Sequence, residues 1–82
     1  MQVSYDTEAC TTYITMAEGS VARTVDLTDV IAVDLDATGR PLGVELLVLP
    51  HNISDEMIED IVEAFPLLEP LSKVGAWRPV FA

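Results

Sequence analysis

The clearest pattern in the chain runs from Val30 to Val48. Ile31, Val33 and Leu35 alternate with Ala32, Asp34 and Asp36, and Leu42, Val44, Leu46 and Val48 alternate with Gly43, Glu45 and Leu47. A two-residue period of this kind marks half-buried strands. Folding the stretch about Thr38-Gly39 sets Leu35 opposite Leu42, Val33 opposite Val44 and Ile31 opposite Leu46, so both strands turn apolar residues to one face. A slip of one residue would destroy that match. Gly39 supplies the positive φ of a tight connection, and Pro41 falls at the first residue of a strand, where its missing N–H is tolerated. Gly43, inside a strand, predicts a close approach, either to Asp34 across the hairpin or to a neighbouring backbone.

Upstream, Gln2 to Tyr5 and Cys10 to Met16 are strand candidates joined by the polar Asp6 to Ala9, with Cys10 read as a small apolar filler. Val21 to Leu27 is a further strand in which Arg23 must either sit near the rim with its head reaching water or pair with a carboxylate, the rim being preferred. Thr28-Asp29 leads tightly into Val30, and such close spacing predicts a meander with the strands in chain order. Downstream, Pro50-His51-Asn52 breaks the strand and Ser54 is placed to cap a helix whose first turn holds Asp55 and Glu56. Met57, Ile58, Ile61, Val62 and Phe65 form a stripe at helical spacing, and Pro66 ends it. The expected fold is α+β in one domain spanning 1–82. A small antiparallel β-meander of four or five strands over 1–49 is covered on one face by a helix over 54–65. An apolar segment over 66–82 packs on the core or on a partner.

Charge narrows the function classes. Fourteen Asp and Glu against 4 Lys and Arg leave a formal net charge of −10, which repels phosphate backbones and anionic lipid. No nucleic acid and no membrane are expected as partners. The charge favours a basic protein partner or serves solubility, as in the acidic proteomes of high-salt organisms. With 50% hydrophobic residues the chain folds despite its charge. Its one cysteine forms no internal disulfide, and the opening MQVSYDTEAC lacks the basic and apolar regions of a secretory signal, so a cytoplasmic location is expected.

One helix cannot bury everything apolar in this chain. Tyr13, Leu47, Leu49 and the segment from Leu67 to Phe81 still need cover, which predicts a two-fold homodimer formed through the C-terminal segment around Trp77 and Phe81 or through the uncovered sheet face. The helix's outer face gathers Glu56, Glu59, Asp60 and Glu63 with no Lys or Arg, which reads either as a solvated helix face or as a docking face for a basic partner. Catalytic machinery is missing from the pattern: His51 is the only histidine, and no phosphate loop is formed by the scattered glycines. The chain reads as a non-enzymatic interaction domain needing no cofactor. The alternative is a small-ligand or divalent-cation domain using Asp34, Asp36 and Glu45. With Thr38 and Gly39 these occupy positions one, three, five, six and twelve of a calcium-loop template, though such loops are flanked by helices and this one by strands.

VDLDATGRPLGVELL resembles the V-D-x-D-x-x-G-x-x-x-G-[IV]-E-[IL] hairpin of domain-of-unknown-function 2283, a family of small bacterial and archaeal proteins. Tyr5-Asp6, Glu8-Ala9 and Tyr13-Ile14 resemble that family's opening Y-D-x-E-A-D-x-x-Y-I, and GSVART from Gly19 to Thr24 its next segment. Cys10 stands where the family usually has Asp, and Thr12 where it usually has Leu. The resemblance covers residues 3 to 48 and implies a small antiparallel sheet followed by a helix. It implies no catalytic residues, and it points to an antitoxin-like or other partner-binding role.

Overall fold

A computed structural model describes residues 1–73; residues 74–82, with Trp77 and Phe81, lie outside the described residues. Five strands form one sheet: β1 (Gln2–Asp6), β2 (Thr11–Thr15), β3 (Arg23–Thr28), β4 (Ile31–Leu35) and β5 (Pro41–Leu46). Helix α1 (Asp55–Ala64) follows, between short 3-10 turns at Pro50–Asn52 and Pro66–Ser72. The α+β fold expected from the sequence is therefore found, with the sheet antiparallel throughout.

The spatial order is β1-β2-β5-β4-β3, which departs from chain order at one place. β3, β4 and β5 form a meander, while β2 pairs with β5 and not with β3, completing a Greek key. The reason lies in the strands themselves. β5 is buried at five of its six positions and needs neighbours on both sides, whereas β3 carries exposed Arg23 and Asp26 and a bulge near Thr28, all suited to an edge. The connection from β2 to β3 crosses the end of the β4–β5 hairpin, the Met16 and Ala17 amides donating to the Leu42 carbonyl and the Ala22 amide to the Leu35 carbonyl. Three strand spacings amount to about 14 Å, well within reach of that connection.

The hairpin has the expected pairs Ile31 with Leu46 and Val33 with Val44. Near its turn the register shifts, so Leu35 faces Pro41 and not Leu42. The shift does not expose either leucine; both are buried with the core. That core joins Ile14, Ile31, Val33, Val44 and Leu46 of the sheet to Ile58 and Ile61 of α1 and to Leu68 and Leu71 of the last 3-10 turn. Ser54 caps α1 by accepting from the Met57 amide at 3.2 Å, and Met57, Val62 and Phe65 complete the packing stripe as half-buried neighbours. The one buried polar residue among those described, Thr12, donates its hydroxyl to the Val48 carbonyl at 2.7 Å, fastening β2 to the chain that leaves β5.

Cys10 does not lie in a strand. It is exposed in the β1–β2 turn with φ of +54°, a conformation that Asn and Asp adopt more readily than other side-chain-bearing residues. Val21 likewise falls outside β3 and is 53% exposed, because the strand begins only at Arg23, whose exposed position matches the rim expected for it.

Candidate functional site: the outer sheet face and its acidic end

Strand alternation leaves Tyr13, Thr24, Asp34, Gly43 and Glu45 on the face away from α1. Gly43 stands between Asp34 of β4 and Thr15 of β2, and the Tyr13 ring lies across it. The tyrosine hydroxyl donates to Asp34 Oδ2 at 2.7 Å, while the Thr24 hydroxyl donates to Asp34 Oδ1 at 2.6 Å. One carboxylate thus fastens β2, β4 and β3 together over the glycine of β5. The close approach expected at Gly43 is real, but its partner is the Tyr13 side chain: a Cβ there would stand 2.6 Å from Tyr13 Cζ and 2.9 Å from Cε2.

Burial pushes the Tyr13 phenol up to about 12, aided by its hydrogen bond to Asp34 and by the negative charge of Asp34 and Glu45. Tyr13 therefore stays a neutral donor at physiological pH. Because its folded value is above the unfolded one of 10.0, its stabilising contribution is intact below pH 10.0 and fades as pH rises toward about 12. Alkaline melting curves of the wild type should fall across that window more steeply than those of Tyr13→Phe. Phenolate absorbance, taken as the difference between the two proteins, should place Tyr13 above an ordinary tyrosine; a difference centred at the ordinary value would contradict the buried hydrogen bond.

The proposed cation ligands do not form a calcium loop. Asp36 Oδ1 accepts from the Thr38 amide at 2.9 Å, the Thr38 hydroxyl at 2.7 Å and the Arg40 amide at 2.9 Å, closing the hairpin turn on itself. The Thr38 hydroxyl first, then the Arg40 amide, hold its carboxyl below the usual 3.8. Gly39 takes φ of +88° in that turn, as expected. Asp6 builds the β1–β2 turn in the same manner, accepting the Glu8 and Ala9 amides. Asp34 is engaged by Tyr13 and Thr24, and Glu45 stands exposed beside Tyr13 across the β2–β5 pair. Among the described residues, no three His, Cys, Asp or Glu side chains gather to hold a metal.

The acidic side chains that do share a surface lie at the other end of β4, around the β3–β4 turn. Asp26, Asp29 and Glu45 border an open groove of about 420 Å³ whose apolar lining includes Val30 and Leu47. Those two are 37% and 48% exposed and are joined by the Leu47 amide donating to the Val30 carbonyl at 2.8 Å. A second groove, on the α1 side, is lined by Asp60 and Glu63 together with Leu27 and Thr28, which line the first groove as well. The helix face named from the sequence is thereby divided. Asp60 and Glu63 turn toward β3, Glu59 borders a separate groove with Ser72, and Glu56 is exposed in the first turn. Trp77 and Phe81 lie outside the described residues. The strand alternation had already placed Glu45 on this side, but Asp26, Asp29 and Val30 become neighbours of Leu47 only through the turn.

These features define a small acidic α+β domain with a five-stranded Greek-key sheet and no helix, among the described residues, long and apolar enough to cross a membrane. The chain belongs to the family described as protein of unknown function (DUF2283), whose model matches residues 2–48. That stretch contains all five strands, the Tyr13–Asp34 clamp and the groove at the β3–β4 turn, while α1 lies beyond it. No curated protein and no solved structure matches the chain.

Proposed function

We propose that this protein is a non-catalytic interaction domain that engages a basic protein partner through the acidic surface of α1. The observation that carries the reading is a helix whose exposed carboxylates oppose its own stability. Glu56 with Glu59 and Asp60, and Glu63 with Glu59 and Asp60, are like charges three or four residues apart, and α1 has no basic residue in its last turn to offset them. Each such pair costs roughly 0.2–0.5 kcal/mol. A basic partner converts that repulsion into attraction on binding, and the approach is steered by the net charge of −10.

The test is a titration with a labelled oligolysine peptide. Replacing Glu59→Gln, Asp60→Asn and Glu63→Gln together should weaken binding and raise the melting temperature, and salt should weaken binding to the wild type. Unchanged affinity in the triple variant would sink the reading. Self-association is a second part of it, favoured by Leu67, which is 71% exposed beside the core turn. Light scattering should give twice the monomer mass; 8.9 kDa at low and high salt would argue against it.

A further inference from the structure

We infer that the groove at the β3–β4 turn is the point where the partner's chain docks, and that it takes an apolar side chain flanked by lysine or arginine. This deepens the preceding proposal and rests on it for the sign of the partner's charge. Val30 and Leu47 offer an apolar pair at the surface, while Asp26, Asp29 and Glu45 stand around them with no basic residue among the described residues of the lining. A purely cationic ligand would leave the apolar pair in water, and a purely apolar one would strip water from three carboxylates without pairing them. A segment with an aliphatic side chain between two cations satisfies both parts.

Charge is also polarised along the sheet. Among the described residues, Arg23 pairs with Leu35 and Arg40 lies in the β4–β5 turn, so these two arginines sit at the far end of β4 from Val30 and Asp29. At that far end Asp36 already has Arg40 beside it, whereas the described lining of the groove holds carboxylates without a cation, which favours the groove for a basic segment. The second groove, with Asp60 and Glu63, adjoins the first through Leu27 and Thr28 and extends the negative path toward α1. A second copy of this chain suits the groove less well, because a two-fold contact there would set the same carboxylates against one another.

Two labelled peptides of equal charge and length test the inference: Lys-Lys-Leu-Lys-Lys and Lys-Lys-Ser-Lys-Lys. At low salt the wild-type protein should bind the leucine peptide about tenfold more tightly, the value of burying most of one aliphatic side chain. Leu47→Ser should abolish that preference while leaving the serine peptide's affinity unchanged. Val30→Thr, which keeps a strand-compatible shape, should reduce the preference in a protein whose melting curve stays cooperative. Asp29→Asn should weaken both peptides. Equal binding of the two peptides by the wild type, or a preference that survives Leu47→Ser and Val30→Thr, would overturn the groove as the docking point. If the α1 triple variant still weakened both peptides in that case, the acidic-helix reading would survive; if neither peptide bound the wild type, both would fall. A protein whose mass drops on Leu47→Ser, with no peptide bound, would assign the groove to self-association and overturn the inference.

Discussion

Gly43→Val is expected to lower stability by about 3 kcal/mol, because overpacking and loss of a hydrogen bond to a charged group act together. Valine is the better strand former, so propensity alone predicts the opposite sign. The deciding fact is the Tyr13 ring, which occupies the space a Cβ would need and cannot move aside without giving up Asp34. For a domain of this size the melting temperature should fall by more than about 10 °C. The cause can be isolated with a double-mutant cycle. In a Tyr13→Ala background the ring is gone, and Gly43→Val should become neutral or stabilising. Additive losses in the double variant would show that the glycine serves some purpose other than making room for Tyr13.

The second large effect is expected from Ile61→Ala. Ile61 is fully buried on α1 and belongs to the cluster that joins Val33 and Val44 of the sheet to Leu68 and Leu71. Removing three carbons from such a site costs about 2–5 kcal/mol, depending on how far the surroundings collapse. The upper part of that range is expected, since the same position holds the sheet, the helix and the last 3-10 turn together. Single domains of this kind are stable by only about 5–15 kcal/mol, so the variant should begin to unfold well below the wild type. Thermal melting followed by circular dichroism checks it. A loss under about 1 kcal/mol would mean that α1 is not a necessary cover for the sheet.

Much of the fold is legible in the sequence because alternation fixes which face a residue takes. Ile31, Val33, Val44 and Leu46 are read correctly to the residue, and so is the Ser54 cap. Alternation says nothing, however, about which strand lies next to which. β2 could pair with β3 or β5 on pattern alone, and only the demand of β5 for two neighbours settles it. That missing neighbour is why Gly43 reads as crowding Asp34 or a backbone, when the crowding comes from Tyr13 on β2. The register shift at Leu35 is hidden for a different reason: Asp36 gathers three donors in the turn and reshapes its exit. Cys10 misreads because strand propensity carries no information on a positive φ forced by the turn that Asp6 builds.

The candidate site divides along the same line. The helix carboxylates are visible as a face because helical spacing gathers them locally. Of the groove only separate pieces are visible in sequence: Glu45 on the strand's polar face and Leu47 as an apolar residue wanting cover. Bringing Asp26 and Asp29 beside Glu45, and Val30 beside Leu47, needs the β3–β4 turn and the β4–β5 pairing together. The residues that carry the family resemblance, Tyr13, Asp34, Asp36, Gly39 and Gly43, are largely occupied in holding strands and turns. The spacing of Asp34, Asp36, Thr38, Gly39 and Glu45 resembles a calcium loop because aspartates and glycines suit tight turns as well as metal loops.

We assign partner recognition to the acidic end of the molecule and a structural role to the Tyr13–Asp34 clamp. Amide resonances followed during titration with Lys-Lys-Leu-Lys-Lys test this assignment most directly. The largest shifts are expected on Asp26 to Ala32, Leu47 and Asp60 to Ala64, with Tyr13, Thr15 and Gly43 nearly unmoved. Shifts centred on Tyr13 and Gly43, or on the arginine end around Arg23 and Arg40, would contradict it.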